Sequence, residues 1–215
     1  MDVKRFFEER LERHGDSPRS LDCSEKGQQG RFHILAEVGP MSGKSVVDLG
    51  SGLGHFYQFL RDRYSDVSYT GYDFSERFVG RARAKYPDAE FEVRDVLREE
   101  IPRRFDFVIS CGIHNLETGS NDEDMIRLLR KAWAAANDAV AFSMLSKTAD
   151  RIEEGRHYYD PIQMTTEALR LTRYTVLRQD YMPHDLTLYL YRNRHGECTF
   201  GEVRSSGLRR MTDSN

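Results

Sequence analysis

The segment VVDLGSGLGHF, residues 46–56, most narrows what this chain can fold into. A run of β-branched and apolar residues gives way to three glycines within five positions, and an aromatic-rich FYQFL follows. A short buried strand, a glycine turn and a helix in that order begin an α/β architecture. Downstream the alternation repeats. Strands are expected at 68–73, 90–96, 105–111 and 139–145, and helices at 54–64, 75–86 (capped by Ser75) and from Ser120 or Asn121 onward. FDFVISC, 105–111, is apolar nearly throughout, as a strand covered on both faces must be. After a short helix at 166–173, residues 175–191 read as two strands around Met182-Pro183-His184-Asp185. The sheet is therefore expected to be mostly parallel, with helices on both faces and an antiparallel last strand.

The 215 residues suffice for one domain with a full core. Its organisation is read as an N-terminal helical cap over 1–40, a core over 41–195 and a polar tail over 196–215. A formal net charge of −3 provides no global field for nucleic acid or anionic lipid. Cys23, Cys111 and Cys198 are widely spaced without a CxxC pair, which suggests neither a disulfide framework nor a zinc site. The opening MDVKRFFEERLERHG is charged throughout, and no apolar stretch reaches membrane-spanning length. A cytoplasmic location is expected.

A glycine loop at a helix N-terminus receives many ligands. Here the spacing is GxGxG at Gly50, Gly52 and Gly54, not the GxGxxG of dinucleotide sites, and Gly43-Lys44-Ser45 lacks the upstream glycine of a phosphate loop. Asp48, two residues before Gly50, suits a cationic or zwitterionic ligand better than a pyrophosphate. Asp73 ends the second strand in YTGYD, where a carboxylate can accept both hydroxyls of a ribose. Asp95 ends the third in FEVRDV, where one can accept from an exocyclic amine. Each acid alone is equally a turn former. Three at consecutive strand ends, on the carboxyl edge where open α/β sheets bind ligands, point to a nucleoside carrying a positive charge.

VVDLGSGLGHF, YTGYDFS, EFEVRDV and FDFVISCGIHN together resemble the first motifs of the class I methyltransferases that use S-adenosylmethionine, over about residues 27–192. LRQDYMPHDLTLYLYR resembles the closing segment of a group of small bacterial members. The resemblance implies a Rossmann-like seven-stranded sheet of order 3-2-1-4-5-7-6. It also implies roles. Gly50, Ser51 and Gly52 would line the methionine and ribose, Asp48 would orient the amino-acid end, and Asp73 would hold the ribose. Phe74 would cover an adenine face beside Asp95 and Val96, and Cys111 with Gly112 would approach the methionine. Ser51 replaces the cysteine usual between the first two glycines.

The methyl acceptor leaves a fainter trace. His114 and Asn115 follow the fourth strand and are candidates for a base or orienting group and its hydrogen-bond partner. The closing hairpin turns on the ligand edge, so Tyr181, His184 and Asp185 are candidates there; Asp185 beside Pro183 is equally a turn residue. Tyr158 and Tyr159 are candidates for a lid, and Arg31 for pairing with the cofactor's carboxylate beside Gln28 and Phe32. No metal is expected, since Asp122, Glu123 and Asp124 read as a helix first turn. The reading is a methyltransferase acting on N or O of a small molecule, with no nucleic-acid or membrane partner, as monomer or homodimer. The rivals are a protein or nucleic-acid methyltransferase and a non-catalytic cofactor-binding module.

Overall fold

A computed structural model describes residues 2–193; Cys198 and the tail read over 196–215 lie outside the described residues. The chain opens with α1 (Val3–His14), a 3-10 turn (Pro18–Leu21) and α2 (Glu25–Ala36). The alternating part follows as β1 (Ser45–Leu49), α3 (His55–Arg61), β2 (Ser68–Asp73), α4 (Glu76–Lys85) and β3 (Glu90–Val93). Then come β4 (Phe105–Cys111), α5 (Asn121–Ala135), β5 (Ala136–Leu145), α6 (Pro161–Leu169), β6 (Thr175–Arg178) and β7 (Asp185–Tyr191). The seven strands form one sheet of order β3-β2-β1-β4-β5-β7-β6, in which β7 runs antiparallel to both of its neighbours. The expected strand order is the one observed.

Side-chain alternation divides the core into two layers. Val46, Tyr69, Phe107, Ala141 and Tyr189 face α2, α3 and α4. Val47, Leu49, Val108, Val140 and Leu188 face α5 and α6. The same parity turns Asp48 toward the α2 and α3 side. The cap expected over 1–40 divides in two, because Phe32, Leu35 and Val38 bury into the first layer and make α2 part of the main core. Residues 2–24 lie outside it, and Leu11 packs with Leu53 and Phe78 in a small separate cluster.

Several boundaries shift for local reasons. β3 stops at Val93, short of the expected 96, because Asp95 enters a turn: its Oδ1 accepts from Leu97 N–H at 3.1 Å and its N–H donates to Glu99 Oε1 at 2.9 Å. α6 begins at Pro161 instead of 166, since Asp160 accepts from the N–H groups of Ile162 and Gln163 and proline fits the first helical position. Ser75 stands at the N-cap of α4, but its hydroxyl donates to Glu8 Oε1 at 2.8 Å, tying α4 to α1 instead.

Candidate active site

The carboxyl ends of β1, β2 and β4 open into a cavity of about 1020 Å3, roofed by residues from the N-terminal 24 and by the loop between β5 and α6. The glycine loop forms its floor. Gly50 has φ +80°, and a Cβ there would meet Ile113 Cγ2 at 2.0 Å, so both backbone and space exclude a side chain. The N–H groups of Gly50 and Ser51 both donate to Tyr72 O, at 2.7 and 2.9 Å, locking the turn onto β2.

Asp48 and Asp73 are the buried acids of the floor. Asp48, 3% exposed, accepts from Tyr69 Oη at 2.7 Å on Oδ2, while its buried Oδ1 has no partner. Burial pushes its pKa up to about 7, against the lowering effect of the Tyr69 hydrogen bond. Asp73, 7% exposed, accepts from Gly52 N–H and Ser75 N–H, each at 2.9 Å, one on each oxygen. Burial raises it to about 6, and these two backbone donors oppose the rise. Each oxygen retains a lone pair for a ligand. Gly52 itself does not line the cavity; its amide is spent on Asp73, so it supports the floor from behind. Phe74, Asp95 and Val96 line the β2–β3 end, where Asp95 is held by its turn and lies 3.4 Å from Arg98 Nε.

At the other end the lining includes Arg31, Cys111, Gly112, Asn115, Tyr158 and His184. Burial pushes the Cys111 thiol up, so it is a neutral SH group. Asn115 Oδ1 accepts from Leu145 N–H at 3.2 Å. Tyr158 Oη accepts from Glu153 N–H at 3.0 Å. Arg31 and Asp185, two separate candidates in the sequence, meet each other: Nε donates to Oδ2 at 2.6 Å and Nη2 to Oδ1 at 3.2 Å. Asp185 is therefore neither a turn residue nor open to a ligand. It is the first residue of β7, with its side chain fully buried.

Three candidates are placed against the chemistry expected of them. His114 lines the cavity but is only 8% exposed, and burial lowers its ring to about 4, which makes it a weak base at neutral pH. Its Nε2 is buried without a partner. Tyr159 is fully buried behind the wall and donates to His114 O at 2.9 Å. Tyr181 does not line the cavity; its hydroxyl pairs with Thr187 Oγ1 at 2.7 Å, and burial pushes it up to about 12. His184 stays on the cavity wall, half-exposed, with Nε2 3.8 Å from Asp185 Oδ1.

Sequence reasoning missed two roof contacts. His55, the first residue of α3, bonds Gln28 Nε2 through Nδ1 at 3.2 Å and Asp16 Oδ1 through Nε2 at 2.8 Å. The Gln28 amide is a donor there, so the Nε2–H tautomer satisfies both bonds. Asp22, just after the 3-10 turn, pairs with Arg10 at 2.8 Å and with Arg156 of the β5–α6 loop, joining the two halves of the roof. Its left-handed backbone, φ 58°, was unsignalled, although aspartate tolerates that region better than most residues.

Residues 46–138, which carry the glycine loop and the strand-end acids, match the family model described as a methyltransferase domain. That segment is similar to a methyltransferase domain and sits in a sheet of the class I order. The chain is similar to the trans-aconitate 2-methyltransferase of Variovorax paradoxus, with 36% identity over 126 residues that cover 47% of this chain and 49% of that one. A match to the trans-aconitate 2-methyltransferase of Delftia acidovorans, 36% identical, covers 29% of this chain and 24% of that one. The chain thus spans about half or less of the length of these curated relatives. Magnesium protoporphyrin IX methyltransferase from Synechocystis PCC 6803, solved with bound SAH, superposes with a TM-score of 0.69 at 18% identity, covering 89% of this chain and 98% of that one. The N-methyltransferase NodS from Bradyrhizobium japonicum WM9, in complex with S-adenosyl-L-homocysteine, gives 0.64 at 17%, with the same coverage of 89% and 98%. These likenesses establish the fold. No helix among the described residues is long and apolar enough to cross a membrane.

Proposed function

We propose that this protein binds S-adenosylmethionine and transfers its methyl group to a nitrogen or oxygen of a small molecule. The observation that carries the reading is the pair of buried acids with unused capacity: Asp48 Oδ1 has no partner, and Asp73 is bonded only by backbone amides. An unpartnered carboxylate oxygen in a buried site is unfavourable unless a ligand supplies the missing donor or charge. A nucleoside with an ammonium and a sulfonium supplies both. The donor set therefore fits the cofactor: Asp73 for ribose hydroxyls, Asp48 for the amino-acid end, Gly50 and Ser51 beneath, Phe74 and Val96 beside the base. When bound, the cofactor contributes an electrophilic sulfonium methyl.

The chain's own residues contribute alignment and exclusion of water. The roof closes the cavity through Asp22, Arg10 and Arg156. Among the candidate bases, His184 is the one on the wall with a half-exposed ring, so its imidazole is the group placed to receive a proton from an amine or hydroxyl acceptor. His114 is a neutral wall group. Asn115 and Tyr158 border the acceptor space, the latter with its hydroxyl proton available to donate. The cavity volume supports an acceptor of metabolite size beside the cofactor, and the net charge of −3 argues against a nucleic-acid substrate.

Calorimetry tests the binding step: S-adenosylmethionine and its demethylated product are expected to bind, and binding of a nicotinamide dinucleotide with neither of them overturns the reading. A methyl-label screen tests the acceptor: signal in metabolite pools is expected, and signal confined to protein or nucleic acid overturns the small-molecule assignment.

A further inference from the structure

The Arg31–Asp185 pair does more than join α2 to β7. Asp185 occupies the Nε edge of the guanidinium through Nε and Nη2. Among the described residues Nη1 makes no hydrogen bond, and it lies beside Gly27, 3.8 Å from where a Cβ there would stand, with both residues on the cavity lining. A guanidinium has five N–H donors; with Asp185 on one edge, both donors of Nη1 and the second of Nη2 remain. Arg31, Cys111 and Asp48 line the same cavity. A cation with free donors and a carboxylate with a free oxygen thus face one cavity, the complement of an α-amino acid zwitterion.

We propose that Asp185 is a positioning residue, which holds the Arg31 fork so that its Nη1 end receives the carboxylate of the cofactor's amino-acid portion. This rests on the S-adenosylmethionine reading above. Arginine and carboxylate normally meet edge to edge through two parallel hydrogen bonds. By taking the Nε edge, Asp185 leaves the end-on approach to the ligand and prevents rotation of the fork about its last torsion. A lysine ammonium can bond two carboxylates but lacks the planar fork that presents a separate edge to each. Asp185 touches no ligand in this arrangement and acts only through Arg31.

The test compares two nucleosides, S-adenosylhomocysteine and 5′-methylthioadenosine, which share the adenosine and the thioether but differ in the amino-acid end. Wild-type protein is expected to prefer the first by at least about tenfold, roughly 1.4 kcal/mol. Asp185→Asn is expected to remove most of that preference while leaving 5′-methylthioadenosine affinity unchanged, which also reports that the variant is folded. Because a lone buried guanidinium can unfold the protein, the paired change Arg31→Met with Asp185→Leu replaces both charges together. It is expected to keep the thermal midpoint and to bind the two nucleosides equally. The proposal is overturned if wild type does not discriminate, if Asp185→Asn keeps the full preference, or if either variant loses both nucleosides in parallel. Wild-type protein that binds neither nucleoside overturns the cofactor reading itself, a separate result.

Discussion

Tyr69 donates its hydroxyl to Oδ2 of Asp48 at 2.7 Å across neighbouring strands, leaving the other carboxylate oxygen buried and bare. The two residues come from β2 and β1, and their shared layer follows from the register Val46 opposite Tyr69. The bond lowers the pKa of an acid that burial raises, so Tyr69 keeps Asp48 closer to ionising.

Replacing Asp48 should separate stability from binding. Asp48→Asn removes a buried, incompletely satisfied carboxylate. Thermal denaturation at pH 8 without ligand is expected to show an unchanged or higher midpoint, by about 2–4 °C per kcal/mol relieved. Affinity for S-adenosylmethionine, measured by calorimetry, is expected to fall at least about tenfold. Tyr69→Phe should weaken binding less and move its pH dependence upward, since the lowering hydrogen bond is gone.

The two raised acids fix the sign of the pH response. Asp48 at about 7 and Asp73 at about 6 keep protons in the folded state over a range where the unfolded chain has released them. The stability these two acids contribute to the ligand-free protein is therefore lost as pH rises from about 4 to 7, opposed by His114, whose lowered pKa favours folding as pH rises over the same range. A cationic ligand favours the ionised acids, so its affinity should increase from pH 6 to 8 with proton release. Calorimetry in two buffers of different ionisation enthalpy measures that release, and proton uptake would contradict the assignment.

Gly50→Ala should be severe. Alanine at φ +80° costs about 1–2 kcal/mol in backbone strain, and its Cβ overlaps Ile113. Pairing it with Ile113→Ala clears the overlap and leaves the strain, so a partial recovery of the denaturation midpoint is expected. Full recovery would mean that the backbone relaxes.

Asp22→Asn should loosen the roof without melting the core. It releases Arg10 and Arg156 together. Limited trypsin digestion is expected to cleave faster at the arginines within 5–19, with the main denaturation midpoint moved by less than about 2 °C. Equal cleavage in variant and wild type would show that other contacts hold the roof.

What the sequence made legible was local. The glycine loop, Asp48 and Asp73 stand within or beside their own strands, so spacing alone placed them on the cavity floor. Arg31 and Asp185 are 154 residues apart. Each read as a candidate, but only the insertion of β7 between β5 and β6 sets Asp185 beneath α2. His114 is conspicuous in sequence because histidine titrates near neutrality; the loss of that property comes from burial, which no short motif records. Tyr159 and Tyr181 failed as lid and base for the same reason, as both hydroxyls are already engaged inside the fold.

The slender footing of the first 24 residues has a kinetic meaning. Their apolar anchor is Leu11 against Leu53 and Phe78, with Phe7 and Leu21 beside it, whereas α2 is embedded in the first core layer. Such a segment opens at a lower free energy than the sheet, and its amide hydrogens exchange before those of β1 or β4. Where a nucleoside lies beneath it, its residence time is expected to depend on how often residues 2–24 open as well as on the contacts on the floor.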